Sequence, residues 1–108
     1  MIRVEFFNPQ GRIEGFCCSG HSGYEDRGAD IVCAAVSNAV QMAVITITEV
    51  LGVKAKTKVK EEEARITLKL PANCEEDEDA VQAVLTGLML TLCNVRDDYP
   101  DYIEVMEV

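Results

Sequence analysis

Two stretches of nearly strict alternation limit what this chain can become. Residues 53–60 set Val53, Ala55, Thr57 and Val59 against Lys54, Lys56, Lys58 and Lys60. Residues 63–70 set Ala64, Ile66, Leu68 and Leu70 against Glu63, Arg65, Thr67 and Lys69. A period of two is a strand with one face toward a core. The short acidic turn between the two runs makes them an antiparallel hairpin with one face buried. The lysine row is expected to pair across strands with Glu63 and to blunt an exposed edge.

The core face of such a hairpin needs a cover. Asp30 to Gly52 reads as a long helix, with Asp30 as N-cap, its carboxylate accepting from a backbone N–H two or three positions on, and Gly52 as the stop. The helix is apolar over most of its circumference, with a narrow polar stripe through Ser37, Asn38, Gln41 and Glu49. Those interruptions make it a poor membrane span and a good buried helix. One sheet face would not bury all of its apolar surface, so a second helix or a partner subunit is expected against it.

The remaining segments complete the pattern. Residues 2–7 and 12–19 read as a hairpin around Asn8-Pro9-Gln10-Gly11, and a slip in alternation suggests a bulge at Gly15. Residues 20–29, with three glycines, the single histidine and a cluster of charges, read as a mobile loop. An acidic first turn at residues 75–79 opens a helix carrying Val81, Val84, Leu85, Leu88, Leu92 and Val95 on one face. Residues 102–108 form a last strand. The expected fold is α+β in the order ββαββαβ: a two-layer single domain over residues 1–108, with a mostly antiparallel sheet and two helices on one face.

The formal net charge of −9 speaks against direct binding of nucleic acid or an anionic membrane surface, and suits a basic partner. Residues 1–5 carry charges where a signal peptide is apolar, and the five cysteines are odd in number and follow no secreted framework. Reduced thiols in the cytoplasm are the expectation.

Among those thiols Cys33 has the most chemical promise. With Asp30 as cap it falls at the third helical position, where backbone N–H groups and the helix dipole favour a thiolate and can hold an oxyanion. His21, across the glycine-rich loop, is the available base. One histidine and five cysteines guarantee some Cys–His pair, and a cysteine in an apolar helix is usually a small hydrophobe. Asp30 is an ordinary cap on the same basis, and Ser37 and Gln41 an ordinary wet stripe. Cys17 and Cys18 point to opposite sheet faces, with Cys18 toward the core. Cys93 reads as core or interface packing, and Cys74, in an acidic linker, as exposed. A zinc half-site at Cys18 and His21, completed by Cys33 and another thiol, is an alternative, but the paired C-x-x-C knuckles of such sites are lacking.

A longer string separates these readings. Gly20-His21-Ser22-Gly23-Tyr24, followed by Gly28-Ala29-Asp30-Ile31-Val32-Cys33-Ala34-Ala35-Val36-Ser37, resembles the signature of the ribosomal-processing cysteine proteases, the Prp family. The likeness extends over the whole chain through the opening hairpin, the Lys-rich second hairpin and the late helix. It implies a cysteine endopeptidase with Cys33 as nucleophile and His21 as base. Asp30 and Ser37 stand at the family's other recurrent site positions, and Gly20 as a loop hinge. It also implies no metal or other cofactor, a bacterial homodimer, and as substrate the precursor of a large-subunit ribosomal protein whose N-terminal extension is removed. The competing reading is a non-catalytic dimeric module that binds a basic ribosomal partner.

Overall fold

The computed structural model describes residues 1–20 and 27–108, with the backbone alone for 27–29. Strand β1 (Ile2–Phe7) buries Ile2, Val4 and Phe6 in alternation and returns through a turn with Gly11 at φ +86° into β2 (Gly15–Ser19). Helix α1 (Arg27–Ile45) continues as a π-helical turn (Thr46–Val50). Strands β3 (Lys56–Lys60) and β4 (Arg65–Lys69) follow, joined by a 3-10 turn at Glu61–Glu63. A 3-10 turn (Glu75–Asp77) leads into helix α2 (Glu78–Asp98), and β5 (Ile103–Glu107) closes the order.

The five strands form one sheet in the order β3-β4-β2-β1-β5. Every pairing is antiparallel except β1 with β5, which is parallel. The register aligns Phe6, Phe16 and Leu68 across three strands, and Ile2 with Ile103, so one face carries the apolar side chains. Val32, Val36, Val40, Ala43 and Ile47 of the first helix and Val81, Leu85, Leu88 and Leu92 of the second complete that core. The expected α+β arrangement, a mostly antiparallel sheet with its two helices, is therefore what forms.

Gly15 is explained by contact. A Cβ there would lie 2.1 Å from the Leu68 carbonyl oxygen of β4, so only glycine lets the strands approach. In register Phe7 faces Gly15, yet its carbonyl accepts from the Glu14 N–H at 2.7 Å. Two residues of the return chain thus address one of β1, which accounts for the slip in alternation.

Four expectations need correction. Residues 27–29 are already helical rather than loop, so Asp30 lies within helix α1 instead of capping it. The second hairpin does not bury a full face: β3 is exposed at all five residues, Val59 at 65%, because it extends beyond the helical layer. Its lysines do not pair with Glu63, which instead binds Arg65 at 3.0 Å. Cys74 is buried. Arg12 explains this. Its guanidinium grips Glu78 with Nε–Oε2 2.6 Å and Nη2–Oε1 2.9 Å, and donates to the Pro71 carbonyl (3.0 Å) and the Cys74 thiol (3.6 Å).

The first helix ends as foreseen near Gly52, which sits at φ +69° beyond the π-helical turn. There the Thr46 and Thr48 hydroxyls donate back to the Met42 and Val44 carbonyls, contacts that tend to bend helices. By length and composition residues 30–50 are apolar enough to cross a membrane, contrary to the expectation from the polar interruptions. In the fold this helix packs on α2 and the sheet. Met42 (68% exposed), Ile31, Ile45 and Val50 remain outside, so α2 supplies the expected second neighbour only in part.

Candidate active site

Cys33 is half-buried on α1, at the seventh residue of the helix. It lines a groove of about 580 Å³ between α1 and the β3–β4 ribbon. One wall is helical: Val36, Ser37, Val40 and Gln41, which follow Cys33 at the spacings that share a helix face. The other is the ribbon: Val59, Lys60, Glu61, Ala64, Arg65 and Ile66. The floor includes Ile2, Cys18 and Gly20. Because the helices leave β3 uncovered, Val59 and Ile66 present apolar surface to whatever enters.

The position of Cys33 differs from the expected third helical residue. It lies one turn deeper, whereas the dipole acts mainly at the first turn and only the first four N–H groups of a helix lack intrahelical partners. With residues 27–29 already helical, those amides lie at least a turn before the thiol.

The other predicted residues divide. Ser37 lines the groove and its Oγ accepts from Gln41 Nε2 at 3.1 Å, so the wet stripe of the helix is part of the groove wall. Gly20 also lines the groove. It stands at φ +92°, and a Cβ there would come within 2.5 Å of the Met1 carbonyl oxygen. Both facts require glycine at the exit of β2. Asp30 is exposed, one helical turn before Cys33 and outside the groove lining. His21 lies outside the described residues.

Cys18 is the second thiol of the groove and behaves differently. Burial in the core, with Cys17 and Cys33 adding, pushes it up to about 11. It is therefore a neutral thiol at neutral pH and no rival nucleophile. Cys17 faces the opposite side of the sheet, where the Thr67 hydroxyl (3.6 Å) and Arg65 Nη1 (3.9 Å) approach its sulfur. The division of the adjacent pair between core and outer face is thus as expected. Sequence reasoning missed the ribbon wall of the groove. Its signal was present in the apolar Val59–Ile66 cross-strand pair, but that pair had been assigned to the core.

The groove leaves the half-buried Cys33 thiol accessible between a helical and a ribbon wall, and comparison with known proteins decides the matter. The sequence model of the family described as "Cysteine protease Prp" matches residues 1–104. The chain belongs to that family. It is a cysteine protease by membership, as its resemblance implied. It is 26% identical over 94 residues to the ribosomal processing cysteine protease Prp of Bacillus subtilis, covering 86% of this chain and 84% of that one. In fold it is similar to SMU.848 of Streptococcus mutans, with a TM-score of 0.89, 23% identity, and coverage of 100% and 94% of the two chains. It is also similar to the S. aureus ribosomal processing protease Prp crystallised with a covalently linked product peptide, with a TM-score of 0.85 and 21% identity over the whole of both chains. The S. aureus protein bound to a substrate peptide gives a TM-score of 0.86, 19% identity and the same complete coverage.

Proposed function

We propose that this protease removes the N-terminal extension of a large-subunit ribosomal protein, with Cys33 as nucleophile and His21 as its base. The observation that carries the reading is the half-buried Cys33 thiol in the groove between α1 and the ribbon, in a chain whose family match runs through residues 1–104. The curated relative from Bacillus subtilis is a ribosomal processing protease, which supports a ribosomal precursor as substrate.

The chemistry follows from these groups. His21 takes the proton from Cys33 Sγ, and the thiolate attacks the scissile carbonyl carbon. The oxyanion draws on nearby N–H donors. Collapse of the tetrahedral adduct breaks the C–N bond, and His21 gives its proton to the leaving amine. Water then hydrolyses the thioester, releasing the carboxylate and restoring the thiol. Asp30, no longer a cap, is left with an electrostatic role toward His21, and Ser37 lines the path of the peptide. Gly20, at φ +92°, stands immediately before His21 in the sequence. No metal or other cofactor enters the scheme. The exposed Met42, Ile45 and Val50 support a homodimer, and five cysteines outside any disulfide support a reducing cytoplasm.

The test is intact mass of the precursor ribosomal protein after mixing with wild type and with Cys33→Ala. Wild type is expected to remove one N-terminal segment, and the variant to lose more than ~10⁴-fold in rate, the scale seen on removing a catalytic nucleophile. Binding without cleavage by both would replace the processing reading with that of an interaction module.

A further inference from the structure

The β3–β4 ribbon concentrates charge in a way the chain's total conceals. The register pairs Lys56 with Lys69 and Lys60 with Arg65, with Lys58 opposite Thr67 between them. All five cations therefore project from one face of two adjacent strands. That face is opposite the core, because the alternating partners Thr57 and Leu68 lie on the other side and Leu68 is fully buried. All five are exposed, and they are half of the ten lysines and arginines in a chain of net charge −9. Among the described residues no carboxylate lies within ion-pair distance of the four lysines, while Arg65 is held by Glu63.

Protection of an edge strand accounts for only part of this. Lysines on β3 alone blunt a free edge. Setting Lys69 and Arg65 of the interior strand β4 directly opposite two of them adds like-charge repulsion, which destabilises a cross-strand pair. An external anion offsets that cost.

We propose that this outer face of the ribbon binds the phosphate backbone of single-stranded RNA. Alternate residues of a strand stand about 7 Å apart, comparable to the step between successive phosphates of a polynucleotide. Lys56, Lys58 and Lys60 thus form a track one strand wide. A linear polyanion can follow this track without touching the rest of an acidic molecule. A bilayer surface is planar and would bring Glu61–Glu63 and the remaining negative charge against anionic headgroups. The choice of RNA over an acidic protein segment rests on the processing reading, since a ribosomal protein is a substrate that sits among RNA. The cationic face is the side of the ribbon turned away from the Cys33 groove, so RNA bound there leaves the groove open.

Fluorescence anisotropy with a labelled 20-nucleotide uridine RNA tests this directly, using the full chain. Five phosphate contacts give a log–log salt slope of about −3.5, or roughly a hundredfold loss of affinity between 50 and 200 mM salt. Lys56→Gln/Lys58→Gln/Lys60→Gln should bind more weakly, with a slope near about −1.4, while its thermal unfolding shows it folded. No binding by wild type at 50 mM salt overturns the proposal, as does an unchanged slope in the triple variant. Tighter binding of a poly-glutamate peptide or of phosphatidylserine vesicles than of RNA overturns it too, assigning the ribbon to that other anion. Cleavage of the precursor by the same preparation is scored separately. Loss of cleavage with RNA binding intact removes the processing reading alone, and the converse removes the ribbon alone.

Discussion

Gly15 and Gly11 are both glycines at strand ends, but they are required for different reasons. Gly11 needs its positive φ and has open space around the missing Cβ, so Gly11→Ala should cost about 1 kcal/mol, the price of a left-handed backbone. Gly15 faces a backbone carbonyl that has no rotamer to escape into. Gly15→Ala must push β4 away from β2, and the expected loss is about 3 kcal/mol, at the upper end for overpacking. Urea unfolding of the two variants side by side checks the ranking, and an equal loss would mean that β4 yields easily. Neither difference was visible in the sequence, where both read simply as turn or bulge glycines. Cys74 was misread for a related reason. Its acidic neighbours suggested solvent, and only the partner contributed by Arg12, 62 residues away in sequence, brings it inside.

At the scale of elements, the joint between the first turn and α2 is the clearest test of electrostatics. Arg12 holds Glu78, and Gln82 both accepts from the Ile13 N–H (2.9 Å) and donates to its carbonyl (2.8 Å). The hydrogen bonds from Arg12 lower Glu78 to about 2. A carboxyl whose folded value lies below its unfolded value contributes stability above the unfolded value, and that stability is lost as pH falls through about 2. Both partners are partly solvated, so the contribution is discounted to about 1 kcal/mol. Arg12→Met should lower stability by about that much at pH 7 and flatten the acid side of the stability curve, measured by denaturant unfolding from pH 7 to 2. Periodicity made α2, β1 and β4 legible because each has one buried face. It misled at β3, where alternation is real but Thr57 and Val59 extend past the helices. It also read residues 27–29 as loop, since Arg27 to Ala29 carry no apolar periodicity of their own. Asp30 looked like a cap because it precedes the apolar run, and the groove wall was missed because Val59 was counted as core.

Among the described residues, both helices leave apolar side chains uncovered. Met42, Ile45 and Val50 of the first helix and Leu90 of the second are all about half exposed or more. If a second copy covers them, Met42→Glu should yield monomer in sedimentation velocity where wild type sediments as a dimer. Because Met42 lies outside the groove lining, cleavage by the monomer also reports whether the site is complete in one copy.

The parallel pairing of β1 with β5 joins residues about as far apart as this sequence allows: Ile2 against Ile103, with the Ile2 N–H donating to the Tyr102 carbonyl and Val108 to Phe6. Such long-range pairing is slow to form. During synthesis, which proceeds from the N-terminal side, β1 emerges early and has only β2 beside it until residues 103–107 follow. An enzyme that destroys peptide bonds is thereby given a built-in delay. The sheet that supports helix α1 and its cysteine is completed only after residues 103–107 have been translated.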